Sequence, residues 1–522
     1  MKKWLLGVGI GLAVLLAAVG FQASSNLRDR NPGYELDLTI AASTPTRLKV
    51  GFAAVPISPP LEDTWTDANN DARYNPSDGD TYTDTNGNGQ FDPYWIAGFS
   101  TGRAATGIHD DLWARVMVID DSRTRIAIVS LDAIGFFHDN VVAVRKRVAE
   151  LCRVDYTVIS STHVHEAPDL MGLWGPSHLQ TGINPDYRDL VIEQTAQAVF
   201  AAVEGLTPAF LRITQDLTGA TKLVNDSRRP KVLDPGLRII QAVEPESGRS
   251  IGVLVSWADH PETTWSKNLL ITSDYPHYLR EALEDGLYSN ENKVREGLGG
   301  TAVFVNGAIG GLMTTDPELG IRDPISGETF TEPSFEKIRA QGYQLAELVL
   351  DALSSDQVTE IHEASLAVRA KTIPFPIENP ILQFGAAIGV IDRGFIGWST
   401  LRTEVAAFTL GEISFITVPG EIYPEIIEGG IESPPGQDFL IEPVEIPPVR
   451  EKMPGRYRFV LGLANDEIGY IIPKSEWDED APYLYNAEES PYGEINSPGP
   501  ETGPILHREI LSLLEELLQL SG

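Results

Sequence analysis

The run from Arg115 to Thr162 limits the fold more than any other part of the chain. It reads RVMVID, RIAIVSLD, NVVAVRKRVAEL and YTVISST, which is two β-rich runs, an amphipathic helical pattern and a third β-rich run. A long helical pattern, YRDLVIEQTAQAVFAAVEGL, follows at Tyr187. Strands and helices that alternate in this way must bury their apolar faces against one another, so the sequence predicts a mixed, layered α/β domain. Later segments predict β-hairpin additions: LRIIQAVEPESGRSIGVLVSWA with its turn at Glu246 to Gly248, and AAFTLGEISFITV with its turn at Gly411. The last pattern, ILHREILSLLEELLQL, is a helix. With 522 residues and 42% hydrophobic content there is ample material for one large core. No internal repeat points to a solenoid or propeller.

The N-terminal stretch has the character of an export signal. Lys2 and Lys3 precede an apolar run from Trp4 to Phe21, so residues 1–23 are expected to be a signal peptide or a signal anchor. Either way the bulk of the protein is expected outside the cytoplasmic membrane: periplasmic, secreted or anchored on the outer side, with membrane contact through this segment. Residues 24–46 are polar and small and read as a linker. The catalytic-size domain is expected to run from 47 to 522.

Charge and cysteine content then narrow the function. A formal charge of −34 repels phosphate backbones, so a nucleic-acid partner is excluded. The single cysteine, Cys152, can form neither an intramolecular disulfide nor a cysteine zinc cluster. Any metal must therefore be held by His, Asp, Glu or Tyr.

Part of the acidic surplus is concentrated between Glu62 and Asp92, where Arg73 is the only basic residue. Asp84, Asn86 and Asn88, followed by Gly89 and Asp92, offer oxygen ligands at alternate positions with a glycine for the tight turn. That is the donor spacing of a calcium loop. It departs from an EF-hand in having Trp95 where the bidentate glutamate would stand. A solvated polar loop would use the same residue types.

The strand pattern YTVISST runs into THVHEAPD, which sets His163 and His165 two apart at the carboxyl end of a strand. A strand directs such a pair to one face, and α/β sheets put their sites at that end. Alone, an H-x-H pair is weak evidence. It stands, however, in an ordered series: VGFAAVPISPP, TGIHDDLWARVMVID, IVSLDAIGF, ISSTHVHEAPD, VSWADHPETT with TSDYP, FVNGAIGG, TVPGEIYPE and LANDEIGYIIP. This ordered set resembles the catalytic domain of the neutral/alkaline non-lysosomal ceramidase family, over roughly residues 47–520.

The resemblance implies a zinc-dependent, ceramidase-like hydrolase that cleaves an amide bond in an N-acyl lipid or related substrate. It implies His163, His260, Glu421 and Tyr470 as zinc ligands, His165 as a catalytic proton shuttle beside them, and His109 as a second catalytic residue near the pocket. Two imidazoles and a carboxylate leave zinc an open position at which water is acidified toward a pKa of ~7. The family carries an immunoglobulin-like domain after its catalytic domain, and the resemblance here ends at the final helix, so that module is expected to be lacking. Two departures stand out. Met313 occupies the position of a family serine, and an asparagine-arginine-serine motif becomes Asn225, Asp226, Ser227, with Arg228 and Arg229 shifted along. Met313 and the acidic insert motivate a second reading, a calcium-stabilised surface binding protein that keeps the scaffold without turnover.

Overall fold

The computed structural model describes residues 17–311, 313–314 and 319–520. Most of the expected export segment, residues 1–16, lies outside the described residues, as does the side chain of Met313. Among the described residues no helix is long and apolar enough to cross a membrane.

Along the chain, helix α1 (17–26) precedes β1 (Asp37–Ile40), β2 (Thr46–Pro56), β3 (Trp113–Asp120), β4 (Arg125–Leu131), α2 (His138–Leu151) and β5 (Tyr156–Ser161). Next come α3 (Pro185–Glu204), β6 (Thr207–Asp216), β7 (Leu237–Val243), β8 (Ser250–Trp257), α4 (Tyr275–Glu284), β9 (Thr301–Asn306) and α5 (Phe335–Ser354). The chain continues through β10 (Leu366–Pro376), α6 (Pro380–Ile388), β11 (Thr400–Leu410), β12 (Ile413–Thr417) and β13 (Glu421–Ile422). It ends with α7 (Pro424–Glu428), β14 (Tyr457–Leu461), β15 (Tyr470–Ile471) and α8 (Thr502–Leu520).

Two mixed sheets carry the fold. The larger has the path β9-β8-β7-β6-β2-β3-β4-β5, with two short strands paired onto β6 and β2. Its pairs are antiparallel except β8 with β9 and β4 with β5. The smaller runs β1-β10-β11-β12-β14 and is parallel only between β12 and β14. Both expected hairpins form, β7 with β8 and β11 with β12.

The strands are apolar on both sides, and the period-two alternation sorts them. In β3, Met117 and Ile119 face the second sheet, where they pack in one cluster with Val368, Phe408 and Phe459. Val116 and Val118 face the opposite way, toward Val141, Val144 and Val148 of α2 and Val191 and Val199 of α3. At the other end of the large sheet, Val253, Val255 and Phe304 pack on Leu279 and Leu283 of α4 and Leu345 and Val349 of α5. The outer face of the small sheet is covered by Leu506, Ile510, Leu513 and Leu517 of α8. The result is four layers, helices, sheet, sheet, helices. Each fully buried Val, Leu or Ile contributes about 1.5–3 kcal/mol before the entropy cost of ordering it.

The stretch expected as a linker, 24–46, is built into this core for part of its length. Asp37–Ile40 extends the small sheet as the antiparallel partner of β10, and Leu36, Leu38 and Ile40 pack on the core between the sheets. Asp29 pairs with Arg402 at 2.9 Å. The cause is the alternation in ELDLTI, short but sufficient to complete a sheet edge.

Candidate metal centre at the end of an apolar cavity

Four residues arrive at one place from the carboxyl ends of four strands, two from each sheet. His163 follows β5, His260 follows β8, Glu421 follows β12 and Tyr470 follows β14. Hydrogen bonds from buried Asn306, at the end of β9, hold the first two loops together: its amide donates to the carbonyls of Thr162 and Asp259. The second pair is held by direct pairing of β13 with β15, with Glu421 opposite Tyr470.

His163 and His165 do not sit on a strand face as their spacing predicted. They lie past the end of β5, and His163 has a left-handed backbone with φ of 65°. Such a conformation costs a non-glycine residue of the order of 1–3 kcal/mol and persists where its surroundings enforce it. Here the His163 amide donates to Ala133 and its Nδ1 is 2.6 Å from the carbonyl of Ile134. With Nδ1–H so engaged, Nε2 carries a lone pair that faces Glu421 Oε2 3.4 Å away, two acceptors that a cation between them would join. His260 Nε2 lies 3.1 Å from the same oxygen.

His165 completes a compact group. Ring-nitrogen atoms of His163, His165 and His260 all lie within 4.8 Å of one another. Its Nδ1 is 3.1 Å from Glu262 Oε2 but outside hydrogen-bond geometry, and neither of its buried ring nitrogens has a hydrogen-bond partner among the described residues. Its loop is fixed by Arg103, whose guanidinium donates to the carbonyls of Ala97, His165 and Asn268. Gly98, at φ of 114°, gives the imidazole its space: a Cβ there would stand 2.9 Å from His165 Cβ.

Electrostatics favour the form in which such a group binds a cation. Burial drives His163 down to about 4, and burial together with the two neighbouring imidazoles drives His165 well below its usual value, so both rings are neutral at pH 7. Burial works to raise the Glu421 carboxyl, but His163, His260 and the Tyr470 hydroxyl together hold it below its ordinary value, so it is charged. Neutral imidazoles beside one carboxylate form a nitrogen and oxygen donor set suited to a divalent transition ion. The facing acceptors His163 Nε2 and Glu421 Oε2, 3.4 Å apart, are the observation that fits a bound cation best. The buried cluster could bind a metal.

The cluster forms one wall of a cavity that is otherwise largely apolar, with Ile134, Phe137, Met171, Trp174, Leu382, Ile391, Phe395, Leu401 and Ile468 among its lining residues. Two charged side chains that sequence reasoning missed also line it. Arg393 is buried, paired with Asp466 at 2.8 Å and set over the Phe137 ring. Glu467 is buried, its Oε2 has no partner among the described residues, and burial followed by the Glu421 charge raises its carboxyl well above the usual range. Glu467 stands inside the quoted LANDEIGY block. Nothing local marks Arg393, whose cavity position depends on tertiary packing.

The remaining sequence candidates lie elsewhere. His109 stacks on Phe335 and its Nδ1 is 2.8 Å from Asp110. It is not among the residues of the imidazole group or the cavity wall. Arg228 forms a buried bidentate pair with Glu494 at 2.7 and 2.8 Å. The backbone of Met313 pairs with Asp226. In the acidic insert, Asp84 accepts hydrogen bonds from the amides of Gly87, Asn88 and Gly89. Asp92 accepts from the side-chain amides of Asn86 and Asn88. This loop is exposed and separate from the cavity.

Neither a family model nor a curated relative matches the sequence. Solved structures do match. Neutral ceramidase from Pseudomonas aeruginosa superposes with a TM-score of 0.62 at 14% identity, covering 91% of this chain and 75% of that one. A ceramidase complexed with C2 gives a TM-score of 0.62 at 15% identity, covering 91% and 76%. At such identity the likeness is one of architecture, and on it the chain has a neutral ceramidase-like fold.

Proposed function

We propose that this protein is an exported, zinc-dependent hydrolase that cleaves the amide bond of an N-acyl lipid or a closely related substrate. The observation that carries the reading is the junction of two environments: a buried group of three imidazoles and a carboxylate set into the wall of an apolar cavity. A polar reaction centre beside an apolar channel suits a substrate with a hydrolysable head and a hydrocarbon chain. The neutral ceramidase-like fold agrees with that substrate class. The apolar run from Trp4 to Phe21 after two lysines supports export.

In this reading His163, His260, Glu421 and Tyr470 would hold the zinc. When bound there, zinc supplies a Lewis acid that polarises the scissile carbonyl and acidifies water. The chain's own groups do the rest. His163 is oriented by the Ile134 carbonyl. Tyr470 hydrogen-bonds Glu421 and so fixes the carboxylate's orientation. His165 is suited to move a proton at Nε2 toward the departing amine, with the Glu262 carboxylate 3.1 Å from its Nδ1 to balance the charge it gains. The apolar walls exclude water and receive the acyl chain.

The test is a hydrolysis screen of the purified chain over N-acyl lipids, acyl amino acids and simple esters, with a zinc-chelated control. Release of fatty acid from N-acyl lipids that chelation abolishes and zinc restores is the expected result. Zinc-loaded protein that cleaves no amide above the chelated control would overturn the assignment.

A further inference from the structure

The mouth of the cavity carries an apolar surface continuous with the cavity itself. Helix α6 contributes Leu382 to the cavity wall and turns Ile381, Phe384 and Ile388 outward. Beside it, the turn at Gly397–Thr400 presents Trp398, which is 83% exposed, and Phe384 is 58% exposed. Tyr492 lines the cavity and is exposed at its rim, with Ile495 exposed nearby. These are one surface, because hydrogen bonds tie the segments together. Gln383 of α6 donates to Ser399 Oγ at 2.8 Å, and Asn379, which caps α6, donates to the carbonyls of Ile495 and Ser497. Large side chains exposed together on a monomer mark an interaction site.

Charge and chain direction indicate what covers it. Residues 379–391 and 394–401 contain no Asp, Glu, Lys or Arg, in a chain whose formal charge is −34. A folded protein partner would normally find charged groups at such a rim, whereas an uncharged amphipathic helix with exposed Ile and Phe, beside a turn with an exposed Trp, suits the headgroup region of an uncharged bilayer surface. The described end of the N-terminal apolar run, residues 17–21, leads to the same place. Helix α1 continues that run through Phe21, which is 77% exposed, and Asn26 at its end donates to the carbonyl of Ala387 in α6. The segment most suited to a membrane is thus tied to the charge-free helix at the cavity mouth.

We propose that α6 and the Trp398 turn form a membrane-docking surface that seats the cavity mouth on a zwitterionic bilayer. Passage of a lipid from that bilayer into the cavity rests on the N-acyl lipid reading above; the docking itself does not. Phe384 and Trp398 enter the interface, and Leu382 and Phe395 then continue the apolar path inward.

The test uses the full chain in a Cys152→Ala background with a single new thiol, Phe384→Cys or, on the exposed β7–β8 turn, Glu246→Cys, each labelled with an environment-sensitive fluorophore. Phosphatidylcholine vesicles containing nitroxide lipid should shift and quench the label at 384 and leave that at 246 in water. Adding Trp398→Ser should weaken that response about tenfold, the worth of burying one large side chain. A label at 384 that stays in water on vesicle-bound protein would overturn the proposal. So would a response confined to anionic vesicles, or one that depends on protein concentration without vesicles and so identifies a second copy as the occupant. A chain that docks by this test but cleaves no N-acyl lipid would refute the proposed function and leave the docking surface standing.

Discussion

Replacing Glu404 by Gln should destabilise the fold by about 3–5 kcal/mol, because this carboxylate is the acceptor at a node where four elements meet. It is fully buried on β11. It accepts from Arg145 of α2 at 2.6 and 2.7 Å, from the Tyr156 hydroxyl of β5 at 2.8 Å and from the Asn465 side chain at 3.0 Å. Every one of these partners is a donor. The amide of a glutamine would meet at least one of them with its own N–H, and the Arg145 charge would lose its counterion inside the protein. Breaking one member of a buried ion pair costs about 3–5 kcal/mol for these reasons. Asn465 also pairs with the backbone of Ile159 and leads the loop that carries Glu467 and Tyr470, so the loss reaches the site. Burial works to raise the Glu404 carboxyl, but Arg145 holds it below its ordinary 4.5. A lowered carboxyl contributes stability above the unfolded value and loses it as pH falls through the folded value. Urea unfolding followed by circular dichroism should therefore show the variant's deficit at pH 7 shrinking below pH ~4.5. A deficit under about 1 kcal/mol at pH 7 would refute the argument, since exposed pairs lose no more than that.

Further outcomes concern the site. Tyr470→Phe keeps the buried ring and removes the hydroxyl that would ligate the zinc and that orients Glu421, so hydrolysis should fall about 10- to 100-fold with the unfolding midpoint nearly unchanged, as read by steady-state kinetics beside thermal denaturation. Gly98→Ala forces a Cβ against His165 and requires a left-handed backbone that alanine resists; activity should drop by about two orders of magnitude while circular dichroism stays native. Leu382→Trp narrows the cavity from the α6 side, so hydrolysis of long-chain N-acyl substrates should fall about tenfold relative to a two-carbon analogue, measured as the ratio of kcat/KM values.

Much of the fold was legible because its strands and helices announce themselves by period. RVMVID and RIAIVSLD alternate between the two clusters they join, and the valines of α2 recur at helical spacing. β1 was legible in principle, since Leu36, Leu38 and Ile40 alternate, but four residues in a polar context gave too short a signal. The site divides in the same way. His163, His260, Glu421 and Tyr470 each follow an apolar strand, so their convergence reflects how the two sheets stack. His165 was read as a neighbour of the metal; its approach to both other imidazoles depends on the turn at His163, whose positive φ no local pattern encodes. Arg393 and the α6 surface were not visible, because only tertiary packing decides which side of a short apolar helix faces the cavity and which faces out.

The central claim is that the imidazole and carboxylate group is a zinc site, and metal content tests it most directly. Elemental analysis of the full chain, purified without added metal or chelator, should give about one zinc per chain, and the His163→Ala/His260→Ala pair should remove it while the fold persists. Stoichiometric zinc surviving in that double variant, or folded wild-type protein that binds none when zinc is supplied, would contradict the account.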